Sequence, residues 1–206
     1  GSGERAFSVG GDLAPGGLMA QGPLGMHWGR GSFAELLLDM RRLGKPTIAL
    51  VNGDALGGGF GLMLACDLVV ARDDARMGCP EINVGLFPMM IMAVIFRNVP
   101  RKLGMDLMLT GRKLPAKEAA DAWVINKAVP EAELDREVAE LATTLASKSP
   151  AIHRLGLDAY NTMSDMSYEE ALRYMHTCLT VNTLAADAAE GVTAFLQKRP
   201  PNWKGR

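Results

Sequence analysis

Three consecutive glycines, Gly57-Gly58-Gly59, stand between two apolar runs. Thr47 to Val51 reads as a buried strand, and Leu62-Met63-Leu64-Ala65 as the body of a helix. Such a run of glycine is costly in conformational entropy. It suits a tight turn, and it equally suits a backbone that must approach a ligand and aim N–H groups at negative charge. The start of a helix supplies both free donors and the positive end of the dipole. A second glycine segment, Val9-Gly10-Gly11-Asp12, follows another short strand candidate, Ala6 to Val9. Two N–H groups converging on one oxygen make an oxyanion hole, each donor worth ~3–4 kcal/mol of transition-state stabilisation. That geometry suits a thioester whose carbonyl becomes an enolate. Phosphate cradling is the rival, but neither G-x-x-x-x-G-K-[ST] nor G-x-G-x-x-G is present.

Other chemistries find little support. Cys66, Cys79 and Cys178 are odd in number and widely spaced, which argues against a disulfide framework and a zinc site. His27, His153 and His176 lack metal-ligand spacing, and no G-x-S-x-G elbow occurs. Neither a metal nor a resident cofactor is expected. The formal net charge of -1 points to no nucleic-acid or membrane-surface partner. No apolar run is long enough to span a bilayer, and no signal peptide is evident, so a cytoplasmic location is expected.

The elements that must hold these residues follow from pattern. Phe33, Leu36, Leu37, Met40 and Leu43 recur at helical spacing, and Gly44 and Pro46 end that helix. Ahead of it, Pro15 to Gly31 reads as a Gly- and Pro-rich loop, a candidate lid. Thr47–Val51 and Leu68–Ala71 bracket the triple glycine and its helix, an α/β unit with parallel pairing. Gly78 to Pro88 reads as a loop, Met89 to Arg97 and Arg101 to Leu109 as helices, Ala116–Ala122 as a short helix and Val124–Val129 as a strand. Beyond Pro130 only helices are expected: Glu131–Ser147, Ala151–Met163, Ser167–Leu184 and Asp187–Gln197, with Ser167…Glu170 and Asp187…Glu190 in capping-box spacing.

In combination these segments resemble the crotonase family, the enoyl-CoA hydratase/isomerase group. The resemblance is carried by Arg5-Ala6-Phe7-Ser8-Val9-Gly10-Gly11-Asp12-Leu13, by Lys45 to Gly53, and by Ala55-Leu56-Gly57-Gly58-Gly59. It continues through Ala65-Cys66-Asp67-Leu68, Pro80-Glu81-Ile82 with Val84 to Pro88, Leu109-Thr110-Gly111, and Ala194 to Arg199 with Pro201-Asn202-Trp203. The implied fold is α/β: a ββα spiral core over residues 1–145, lacking the spiral's first strands, then an all-helical oligomerisation region over 146–206. About fifty further residues usually precede the segment that opens here, and a core without those strands would expose a sheet edge.

The resemblance also implies roles. The oxyanion-hole amides would be those of Gly11 and Gly58. Substrate would be an acyl-CoA, with no other cofactor, and the protein a homotrimer or pair of trimers. Phe195 and Lys198 match a Phe and a Lys that approach the CoA from a neighbouring subunit; plain packing and a solvated charge are their bland readings. Hydratases of the family carry two catalytic glutamates. Here the first position is Gly61, while the second is present as Glu81. Asp12 and Asp54 are the nearest substitutes in motif terms, although both suit turns or caps.

A single base suffices to move a double bond. Glu81 could take a proton from C2 and return it at C4, aided by a pKa raised from about 4.3 in an apolar pocket. Leu86, Phe87, Met89, Met90 and Met92 could line that pocket, Phe87 and Met89 touching substrate, or could be ordinary core. Enoyl-CoA isomerisation and atypical hydration stand nearly level. Decarboxylation or other lyase chemistry, and acyl-CoA binding without turnover, are the alternatives. Cys79 has no His partner to make it a nucleophile and is expected to be a small buried residue.

Overall fold

The computed structural model describes residues 3, 5–12, 14, 16–17 and 22–206. Leu13, Pro15 and residues 18–21, which belong to the proposed first motif and loop, lie outside the described residues. The chain forms two compact units: Gly1–Met40 with Thr47–Ala139, and Arg41–Pro46 with Glu140–Arg206.

The first unit holds two small sheets. β2 (Ile48–Val51), β4 (Leu68–Arg72) and β7 (Lys127–Val129) form a parallel set with β4 central. β4 is buried along its middle on both faces, so it reads as a continuous Val-Val-Ala run rather than an alternating one. Its start is pinned to that of β2 by Asp67, whose carboxylate accepts from the Thr47 N–H and hydroxyl, both at 2.7 Å. In the second sheet β1 (Ala6–Ser8), β3 (Asp54–Leu56) and β5 (Arg76–Gly78) pair in parallel, and β6 (Leu114–Pro115) adds an antiparallel edge. α2 (Gly58–Leu64) follows β3 directly. Phe60, Met63, Met77, Ile95, Leu107, Met108 and Leu114 are the large, fully buried side chains of the core.

Several elements differ from the sequence expectation. Residues 22–31 are not a loop but the opening of α1 (Gly22–Arg42). Pro23 sits in its first turn, where a missing N–H costs no hydrogen bond, and three further glycines there hide the helical pattern. β3 and β5, three residues each, are too short to show a period; Asp54, expected in a turn, opens β3 instead. The loop from Gly78 to Pro88 contains a 3-10 turn over Pro80–Val84. α3 begins only at Met92 (Met92–Asn98), because the Met89 N–H donates to Phe87 two residues back. α4 (Arg101–Thr110) and α5 (Ala116–Asp121) follow as expected. Val124 and Ile125 close the end of α5 by donating to Ala119, so β7 is half as long as its apolar run.

In the second unit no strand occurs among the described residues. α6 (Glu131–Ala146) enters it, followed by α7 (Pro150–Met163), α8 (Tyr168–Leu184) and α9 (Ala186–Leu196). Ser167 and Glu170 form the expected capping box. Asp187 does not cap α9, whose N-cap is Ala185. Asp187 is 1% exposed and accepts from the Ser149 hydroxyl at 2.5 Å, Lys204 N at 2.6 Å and Gly205 N at 3.0 Å. It therefore ties the C-terminal segment to the start of α7. α8 buries none of its residues, leaving Tyr168, Leu172, Leu179 and Leu184 exposed. No helix among the described residues is long and apolar enough to cross a membrane.

Candidate active site

Each of the three consecutive glycines meets a different demand. Gly57 is the N-cap of α2 at φ 55 and ψ -127, a conformation side chains avoid, and a Cβ built on it would stand 3.1 Å from Glu81 Oε1. Gly59 lies so close to β1 that a Cβ would be 2.6 Å from the Ser8 carbonyl carbon. Gly58 is the exception: a Cβ would make ordinary contacts, 3.6 Å to Gly10 Cα and 3.8 Å to the Phe33 ring. Nothing among the described residues excludes a side chain at residue 58, and the position is half-open to solvent.

The two glycine segments come together. Gly10, at φ 92, packs so that a Cβ on it would be 3.1 Å from the Gly58 amide nitrogen. The Gly10–Gly11 turn thus lies against the first residue of α2. Among the described residues neither the Gly11 nor the Gly58 N–H has an intramolecular acceptor. For Gly58 this follows from position, since the first N–H groups of a helix have no partner in the preceding turn.

Glu81 faces the same place from the 3-10 turn after β5. The turn is positioned by Gly57 N–H donating to Gly78 O at 2.9 Å and held closed by Leu86 N–H donating to Glu81 O at 3.0 Å. Its Oε2 is buried without a hydrogen-bond partner. Burial pushes the Glu81 carboxyl above the ordinary carboxylate range, opposed more weakly by its own backbone N–H. Cys79 is fully buried, and burial followed by the nearby Glu81 charge pushes its thiol up to about 12. It is a packed side chain rather than a nucleophile.

Gly61 lies one turn along α2 from Gly57, and Ile91 fills the space beside it: a Cβ on Gly61 would be 2.7 Å from Ile91 Cβ, and closer still to Cγ2. Ile91 is 4% exposed. Sequence reasoning missed this residue, because nothing in a Met- and Ile-rich run marks the one member that packs on a glycine. The substitutes considered for a second acid are engaged elsewhere. Asp12 accepts from Ala14 N at 2.9 Å in a local turn. Asp54 accepts from Arg76 N at 2.9 Å and pairs with the Arg76 guanidinium at 3.0 Å, cross-linking β3 to β5.

The apolar residues after Glu81 divide. Phe87 and Met92 are half-buried against the core, whereas Leu86 and Met89 present open apolar surface, Met89 at 69% exposure. Phe33, half-buried on α1, is expected from sequence only as a helix-face residue and proves to flank Gly58. Phe195 and Lys198 belong to the second unit. Phe195 is 82% exposed near the end of α9, and Lys198 follows it at φ 53, its N–H donating to Phe195 O at 3.1 Å. No group of three or more His, Cys, Asp or Glu able to hold a metal occurs among the described residues.

The chain is similar to known proteins of one family. The family profile described as Enoyl-CoA hydratase/isomerase matches residues 1–206. Carnitinyl-CoA dehydratase of Escherichia coli (strain SMS-3-5 / SECEC) is 38% identical over 212 residues, covering all of this chain and 80% of that protein. Among solved structures, an enoyl-CoA hydratase from Mycobacterium smegmatis superposes with a TM-score of 0.89 at 31% identity, over 97% of this chain and 77% of that one. An enoyl-CoA hydratase from Bacillus anthracis gives a TM-score of 0.93 at 28% identity, over 100% and 80%.

Proposed function

The chain belongs to the enoyl-CoA hydratase/isomerase family, and from that premise we propose that it processes an acyl-CoA through a thioester enolate with Glu81 as its single acid–base group. The observation that carries this reading is the lone carboxylate of Glu81, unpartnered at Oε2, beside a pair of glycine N–H groups without intramolecular acceptors. The Gly11 and Gly58 amides hold the thioester oxygen as it gains charge. Glu81 takes the proton from C2, and the electron pair moves onto that oxygen.

The fate of the enolate depends on the substrate. From a 3-hydroxyacyl thioester, the enolate expels hydroxide from C3 and Glu81 returns its proton to that oxygen on the same face. Products are a 2-enoyl thioester and water, and hydration is the reverse. The carnitinyl-CoA dehydratases among the relatives support this direction. The packing of Ile91 on Gly61 favours a second reading, because it leaves no side chain there to anchor water. From a 3-enoyl thioester, Glu81 would carry the C2 proton to C4 of the dienolate.

Phe87 and Met89 flank the acyl group in this reading. Phe195 and Lys198, both exposed, reach the CoA of a neighbouring copy in a homotrimer or a pair of trimers. The apolar residues left open on α8 support such an assembly.

A turnover panel of 3-hydroxyacyl-, 2-enoyl-, 3-enoyl- and carboxyacyl-CoA tests the proposal on the protein and on Glu81→Gln. One substrate should turn over, with Glu81→Gln strongly impaired. Full activity of Glu81→Gln on every substrate sinks the single-base mechanism. Failure to bind any CoA thioester sinks the enzyme reading.

A further inference from the structure

We infer that Ile91 is a specificity-determining residue that holds the place of a second acid–base side chain and keeps water from the proton Glu81 carries. The inference rests on the single-base reading of Glu81 in the form that moves a double bond, in which water takes no part. Gly57 is the N-cap of α2 and Gly61 lies one turn further on, about 6 Å along the axis. The Gly57 position abuts the Glu81 carboxylate and the Gly61 position abuts Ile91. Glu81 and Ile91 thus meet glycines one turn apart at the start of α2. Ile91 is buried, branched and apolar, so it has no polar group to offer, and Oε2 of Glu81 is itself buried without a partner.

The chemistry is constrained in two ways. No side chain can be introduced at residue 61 while Ile91 stands, so the site is restricted to reactions that one carboxylate completes. In addition, a proton taken from C2 stays on Glu81 until it returns to substrate, because exchange with solvent needs a water within hydrogen-bond reach. A small void beside an unsatisfied carboxylate oxygen has the polar partner that an ordinary apolar cavity lacks, and it would admit water.

The test uses a short saturated acyl-CoA deuterated at C2, which can form the enolate but has nothing to eliminate. Glu81 removes the deuteron, water exchanges it for a proton on the carboxyl, and reprotonation of C2 leaves a substrate one mass unit lighter. Exchange is measured for the protein, Ile91→Val and Ile91→Ala, beside thermal transition, CoA-thioester binding and the pH profile of exchange. Ile91→Ala should exchange faster by at least about tenfold, with Ile91→Val between, and its acid limb should move to lower pH as Glu81 gains water. Unchanged exchange and an unchanged acid limb in a folded, ligand-binding Ile91→Ala overturn the inference. So does a decline in exchange that merely follows lost stability through the Val and Ala variants. Glu81→Gln distinguishes a failure of Ile91 from a failure of the base. If it abolishes exchange while Ile91→Ala has no effect, only the role of Ile91 fails; if it exchanges normally, the base assignment fails with it.

Discussion

The carboxylate of Glu81 packs against Gly57, with Oε1 3.1 Å from where a Cβ of residue 57 would be. A loop carboxylate and a helix-capping glycine, 24 positions apart in sequence, thus form one surface. A side chain at residue 57 would stand in the way of that carboxylate.

Glu81→Gln tests both halves of that relationship. Catalysis should fall ~10²–10⁴-fold if Glu81 carries the proton. Stability should move the other way above the usual carboxylate range. Burial raises the folded-state pKa, so the native protein binds a proton more tightly than the unfolded chain. That contribution is complete below the unfolded pKa and is lost as pH rises through the folded one. Denaturant titrations from pH 4 to 8 should show the wild type losing stability relative to Glu81→Gln; parallel curves would contradict the raised pKa.

Alanine at each of the three glycines should give three different outcomes. Gly59→Ala meets the β1 backbone and Gly57→Ala a forbidden conformation as well as Glu81, so both should lose more than ~1 kcal/mol. Gly58→Ala should fold within ~1 kcal/mol of wild type, since its Cβ has only ordinary contacts. Its methyl would instead face the acyl group, and a displacement of about 1 Å there costs on the order of 10²-fold in kcat/KM. Thermal melts and steady-state kinetics on the three variants decide this. Normal activity in Gly58→Ala would show that the acyl group does not pack against residue 58.

Much of this was legible in the sequence, for identifiable reasons. Glycines between an apolar strand and helix pointed to the N–H pair, and helical periodicity gave the elements after Pro130. The three-residue strands β3 and β5 escaped because pairing partners, not local pattern, make them strands. The first turns of α1 escaped because glycine and proline mask a helix whose residues 22–42 include none that is buried. Ile91 escaped for a different reason: its importance lies in which neighbour it touches. A missing carboxylate at residue 61 is visible in one dimension, but what fills its place is visible only in three.

The C-terminal segment should be the acid-sensitive part of the helical unit. Glu190 accepts from both Arg199 guanidinium nitrogens, at 2.7 and 2.9 Å, and from Asn202 N at 2.7 Å. Its carboxyl is held down to about 2, chiefly by Arg199 and next by the Asn202 N–H. The folded state therefore favours the ionised form, and this stability is present above the unfolded pKa and lost as pH falls toward 2. Hydrogen exchange at the Lys204 and Gly205 amides, which Asp187 holds, should quicken on acidification before the core opens. Glu190→Gln should show the quickened exchange already at neutral pH; an unaltered pattern there would count against the latch.

A thermodynamic cycle between residues 61 and 91 provides the last check. Replacing a helical glycine by alanine ordinarily gains up to ~1 kcal/mol. At Gly61 the sign should reverse, because the new methyl would overlap Ile91, and overpacking a core costs ~1–3 kcal/mol. Ile91→Ala alone should cost ~2–5 kcal/mol as a cavity-forming change. Gly61→Ala added to Ile91→Ala should then be neutral or stabilising, since the overlapping methyl is gone, giving a coupling of ~1–3 kcal/mol by urea denaturation. Additive losses would mean that Ile91 does not occupy the space beside residue 61. With coupling present, Gly61→Glu should be tolerated only when Ile91 is shortened too, so a second carboxylate at this site requires two coordinated substitutions rather than one.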